Sequence, residues 1–144
     1  MGWWHALFIR AALLYLLYTA LLGTLFYPFP ALVGPFRLSH VHAGLVGFFL
    51  QMVMGVAYWM MPRPGGLKQE GLEAFTFFLL NAGLLLRLLL EPLSAYGLLP
   101  RGLLALSGGL QFLAVLVFAY AMHRRVVTAD MLRKLREERE RRKG

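Results

Sequence analysis

Four stretches of this chain run for about twenty residues with almost no charge, the length a helix needs to cross the hydrocarbon layer of a bilayer. They cover roughly residues 4–27, 38–61, 72–90 and 102–122. The first carries only Arg10, near its start, where a long side chain can snorkel to the headgroups, and Pro28 and Pro30 stop it. The second ends at the helix-breaking run Pro62 to Gly66, and the fourth follows the turn Pro100-Arg101-Gly102 and closes at His123, Arg124 and Arg125. Composition agrees, since 59% of the 144 residues are apolar and only 15% charged. The first run is too long for a signal peptide, and no small-residue cleavage site follows it before the prolines. The expected fold is therefore an all-α membrane protein: an up-down bundle of four transmembrane helices over residues 1–125, then a basic tail over residues 126–144.

Orientation follows from the basic residues, because loops rich in Lys and Arg stay in the cytoplasm. Arg63 and Lys68 lie between the second and third runs, and Arg124, Arg125 and seven more Lys or Arg follow the fourth. The opposite loops carry only Arg37 and Arg101, so both termini are expected inside, in the inner (plasma) membrane of a prokaryote. This topology accounts for the net charge of +8 without nucleic acid as a partner. The tail, from about Thr128, alternates Arg and Glu with Glu137 and Arg141 four residues apart, which predicts a solvated helix that anionic lipid or a partner subunit could use. With no cysteine, the chain forms no disulfide, thiolate metal site or covalent c-type haem.

The arrangement with chemical content is Ser39-His40-Val41-His42, at the outer end of the second span. Ionisable groups at membrane depth are costly and tend to face a site or a partner. Residues two apart on an α-helix point about 200° apart, so His40 and His42 cannot clamp one ion between them. His5 and His123 belong at the other end of the bundle, about 30 Å away, so a bis-His centre requires a second copy of the chain. Gly44, Gly47 and Gly55 follow on the same span; glycines so placed serve either close helix packing or the wall of a flat ligand site. Asn81, Gln51 and Gln111 are expected to bond across helices, and Trp3, Trp4 and Trp59 to sit in the interfacial belt.

The run from His40 to Phe49, continuing through Val53-Met54-Gly55-Val56-Ala57-Tyr58 to Met61-Pro62-Arg63, resembles the tenth helix of the catalytic subunit of haem-copper oxidases, closest to C-type oxidases and nitric oxide reductases. That helix begins with His-x-His near the outer face and ends with Pro-Arg or Pro-Lys inside. The resemblance implies that His42 matches the low-spin haem ligand and His40 the high-spin one, both ligating haem iron. It covers about 25 residues. The family's subunit has twelve helices in three arcs of four, and this chain is similar to one arc, without the further histidines of the copper or iron site. The resemblance therefore implies a homo-oligomer, by analogy a trimer, with non-covalent haem b held between His40 of one chain and His42 of the next.

Such a haem needs its propionates neutralised, and Arg87, in the third span, and Arg37, before the second, are candidates for that work. Against this, Arg87 can pair with Glu91 and Arg37 can be solvated. The expected cofactor-binding set is thus His40, His42, Arg37, Arg87, Gly44 and Gly47. Two functions remain open: a membrane haem b protein for electron transfer or for binding nitric oxide or oxygen, and a cofactor-free accessory or assembly subunit of a respiratory complex. Neither is a complete oxidase or reductase within one chain. A transporter is disfavoured by the lack of charge near the midplane.

Overall fold

The structure, a computed structural model, describes residues 1–99, 101–126 and 129–144 and is all-α. Four helices are long and apolar enough to cross a membrane: Trp3–Leu25, Pro30–Met60, Glu70–Ala95 and Gly102–His123. The first is α1 (Trp3–Leu25). The second is a continuous rod of α2 (Val33–His42), a π-helical stretch (Ala43–Leu50) and α3 (Gln51–Met60), entered through a short 3-10 turn at Pro30–Leu32. The third and fourth are α4 (Glu70–Ala95) and α5 (Arg101–His123), and the tail forms α6 (Ala129–Arg141). Pro100, in the expected turn before the fourth span, and Thr128, the expected start of the tail, lie outside the described residues.

Two spans are longer than the sequence suggests. The second begins at Pro30 rather than near Leu38, because Pro35 falls in its first turn, where the missing N–H has no intrahelical acceptor to lose. The third runs from Glu70 to Ala95 instead of 72–90. Its end charges, Glu73 and Glu91, are paired inside the bundle, so they do not mark its limits, and Pro92 near its end removes only one helical bond. Gly97, at φ 71°, then turns the chain, with its N–H on Ser94 O at 3.0 Å and that of Leu98 on Leu93 O at 3.1 Å.

Successive spans run antiparallel and pack through close approaches at glycine. At Gly47, a Cβ would lie 2.5 Å from Tyr15 Cγ and 2.9 Å from a Leu84 methyl; at Gly83, it would lie 2.9 Å from both Leu110 Cβ and Ser107 O. These two positions let the second span sit between α1 and α4, and α4 sit against α5, as small residues do in membrane interfaces. One core cluster, including Phe8, Met54, Tyr58, Leu80 and Ala114, fills the half of the bundle nearer the termini; Tyr15, Ala43 and Leu84 fill the other. Large apolar side chains such as Leu14, Leu17, Phe49, Phe78 and Phe112 point outward, which suits a hydrocarbon solvent. Trp3 and Trp59 are also exposed, whereas Trp4 packs its ring on Phe77 and Phe78.

The end bearing the termini is closed by a buried ionic cluster. Glu73 Oε1 accepts from Arg125 at 2.9 Å and Arg63 at 2.9 Å, with His5 Nε2 at 3.3 Å. Arg125 also donates to Gln69 and to Tyr58 O and lies 5.1 Å from the Tyr58 ring centroid. Its side chain is 0% exposed and that of Glu73 2%. The sequence reading had Arg125 close the fourth span; the structure adds that the residue folds back under the bundle to meet Glu73. One carboxylate thereby joins the start of α1, the loop after α3, the first turn of α4 and the chain leaving α5. Leaving a buried charge unpaired costs about 3–5 kcal/mol. Glu73→Ala and Arg125→Ala are each expected to lower unfolding stability in detergent by about that amount, with the double variant well short of their sum. By contrast Gly47→Val overpacks the Tyr15–Leu84 gap and is expected to cost about 1–3 kcal/mol in the same titration.

Candidate functional site

At the opposite end, α2, α4 and α5 converge on a second polar cluster. His42 sits in the last turn of α2, and its Nδ1 lies 3.0 Å from Leu38 O, one turn back, and 2.8 Å from Glu91 Oε1 of α4. Its Nε2 lies 3.4 Å from Arg87 Nη1. Two acceptors meet Nδ1 and a donor meets Nε2, which fits a neutral ring with the proton on Nδ1. Arg87 is held further by Nε donating to Ser107 Oγ at 3.0 Å, a second nitrogen donating to Leu104 O at 3.3 Å, and Glu91 Oε1 at 3.7 Å. The expected Arg87–Glu91 pairing is therefore present, with a histidine inserted beside it.

Glu91 is the most enclosed of the ionisable members, 4% exposed against 26% for His42 and 22% for Arg87, and its Oε2 is buried with no partner. A cleft of about 470 Å³ opens here, with His42, Arg87, Glu91, Leu38, Pro35 and Ser94 among its walls. Its walls bring together one anion, one cation and an imidazole lone pair held by a long contact, while the unpartnered Glu91 oxygen is itself buried. The cleft therefore offers both an acceptor and a donor to a ligand entering from the membrane end.

His40 faces elsewhere, as the helical angle requires. Its ring meets Phe26 edge-on at 5.4 Å between centroids and closes over Gly23 of α1, and its Nδ1 is buried without a partner. Thr19 Oγ1, facing Gly44 in the same seam between α1 and the second span, is also unpartnered. Gly44 and Gly47 turn toward α1, at Thr19 and Tyr15, and not into the His42 cleft. Arg37 is exposed and does not line the cleft. Of the expected set, the structure brings together His42 and Arg87; His40, Gly44 and Gly47 belong to the seam with α1, and Arg37 to neither.

The sequence reading missed Ser107 and gave Glu91 only the role of a partner for Arg87. The signal for Glu91 was a carboxylate immediately before a proline in an apolar run, which is costly unless the charge is used. Among the three polar amides, Asn81 Oδ1 accepts from Tyr15 OH at 3.0 Å as expected; Gln51 reaches Phe8 O only at 3.5 Å, and Gln111 Nε2 has no partner. His5, bonded to Glu73 and Arg63, lies at the other end as anticipated. Among the described residues no group of three or more His, Cys, Asp or Glu side chains could hold a metal ion. Compared with family models, curated proteins and solved structures, the chain matches none.

The geometry makes Glu91 the residue that orients His42. Glu91→Gln keeps the shape but removes the charge, leaving Arg87 without its anion in a mostly buried setting. The expected result is a loss of about 2–4 kcal/mol of stability, read by thermal unfolding in detergent. Arg87→Gln made in the same background should restore part of the loss, because it removes the uncompensated charge.

Proposed function

We propose that this chain is a haem b protein of a prokaryotic plasma membrane, related to the haem-copper oxidases, with both termini in the cytoplasm. His42 would hold the haem iron as its first protein ligand, and His40 of a neighbouring copy in a ring of three would be the second. The observation that carries this reading is the state of the His42 ring. Nδ1 is anchored by a carbonyl and a carboxylate, the support metal-ligating histidines characteristically have, while Nε2 is met only by the Arg87 guanidinium, at 3.4 Å, in a residue that lines the cleft. Arg87, beside it, has the charge and fork geometry to take a propionate.

The two histidines fit the group unequally. His42 is oriented for ligation as it stands, whereas His40 has an unanchored ring lodged against Phe26, and it must leave that seam to reach a neighbour. Bound haem would supply a one-electron iron couple, suited to electron transfer when both axial positions are filled and to binding nitric oxide or oxygen when one is open. The orientation rests on Lys68, Arg124 and the tail, which share the end of the bundle where α1 starts.

A second reading is favoured by one specific observation: both nitrogens of His42 already have partners inside the chain. That suits a cofactor-free accessory or assembly subunit whose outer end is simply tied together. The reduced-minus-oxidised optical spectrum of the purified protein, expressed with ample haem, separates the two. Sharp low-spin b-type bands are expected in the wild type. They should vanish with the haem in His42→Ala and give way to a broad high-spin spectrum in His40→Ala. A colourless wild type would remove the haem reading and leave the accessory one.

A further inference from the structure

The tail helix α6 segregates its side chains in a way that the sum of its charges hides. Residues 129–144 hold seven Lys or Arg against four Asp or Glu, which as a list resembles a mixed, solvated helix. At about 100° per residue, Met131, Leu135 and Leu132 fall within an arc of about 100°. Asp130, Glu137 and Glu140 gather in an arc of about 80° on the far side, with Arg133 among them. Arg139 falls inside the apolar arc, Lys134 and Arg136 flank its two edges, and Glu138 is the one acid near it. Apolar residues bordered by cations, with acids opposite, form the pattern of a helix lying in a membrane interface.

The position of α6 agrees with the pattern. Arg125 is locked under the bundle by Glu73, Gln69 and Tyr58, and α6 begins four residues later, so the helix starts within about 14 Å of the bundle's end. Met131 and Leu135 share a cleft of about 340 Å³ with Pro64, Gly65, Leu67 and Arg124, so the apolar arc is turned toward the ends of the spans. Leu132 and Leu135 are still 46% and 42% exposed, and Arg124 stands exposed at the cleft's edge over the Tyr120 ring. The bundle leaves part of this face uncovered at the level where its own apolar surface ends.

We infer that α6 is an interfacial helix whose occupant is anionic phospholipid: Leu132 and Leu135 enter the acyl boundary, and Lys134, Arg136, Arg139 and Arg124 meet the headgroup phosphates. Charge complementarity selects lipid over a protein partner, because Lys134, Arg136 and Arg139 border or enter the apolar arc while three of the four acids are held away from it. The inference is independent of haem. Each cation near an anionic surface strengthens binding about fivefold, so lipid charge should control how α6 sits.

The absence of native cysteine makes the test direct. Full-length protein carrying a nitroxide at Leu132→Cys or at Glu137→Cys is reconstituted in nanodiscs of phosphatidylcholine alone or mixed with phosphatidylglycerol. Collision with a water-soluble paramagnetic reagent is then measured. The label at 132 is expected to be shielded in the anionic bilayer, at least about fivefold more than in phosphatidylcholine, while the label at 137 stays accessible in both. Lys134→Gln, Arg136→Gln and Arg139→Gln together should abolish the shielding. Equal accessibility on the two faces in every bilayer would overturn the inference in favour of a solvated helix. Shielding at 132 that ignores lipid charge and survives the triple substitution would overturn it in favour of a protein surface covering α6.

Discussion

A carboxylate in a hydrocarbon-spanning bundle must find its counter-charges inside the protein, and α4 imposes that requirement at both of its ends, at Glu73 and at Glu91. Around the first gather the start of α1, the loop after α3 and the chain leaving α5; around the second gather α2 and, through Arg87 and Ser107, α5. Antiparallel order is thereby tied at two levels. Between them Leu80 and Leu84 are fully buried, and α4 and α5 come into backbone contact at Gly83. Packing without a strong hydrophobic driving force sets the distances, and the two polar clusters set the register.

The clusters differ in how completely they are satisfied, and that difference separates structure from candidate function. At the end bearing the termini, the Glu73 carboxylate meets three basic side chains, and Arg125 is wholly enclosed. At the opposite end, one carboxylate oxygen has no partner, the imidazole lone pair is held only by a long contact, and a cleft lies alongside. A site with unspent hydrogen-bonding capacity beside a cavity is where a ligand gains most, since it relieves groups that are otherwise costly to bury. The haem reading draws on that contrast, and the inequality of His40 and His42 follows from it: one ring is anchored by the cluster, the other lies in the seam with α1.

The four spans and their antiparallel order were legible in the sequence because hydrocarbon thickness and short loops leave few alternatives for such apolar runs. The divergence of His40 and His42 was legible as well, since helical pitch alone separates them, and so was the Arg87–Glu91 pair. The π-helical stretch at Ala43–Leu50 had no local signal, because the same residues satisfy an α-helical pattern. The sequence likewise made Arg125 no more than the basic close of the fourth span, because nothing local to it shows a partner. Whether such a residue turns outward or folds back depends on a carboxylate more than fifty positions earlier.

By itself, then, the sequence determined the number of helices long and apolar enough to span a membrane, the divergence of the histidine pair and the absence of thiol chemistry, all properties of local composition and helical period. Only the tertiary structure decided which polar groups are spent and which are spare. Glu73 and Glu91 are alike in sequence as acids near the ends of one apolar helix. They part because Arg63, Arg125 and His5 converge on the first, while the second shares a single guanidinium with a histidine. That outcome depends on contacts between residues distant along the chain, which no local pattern encodes.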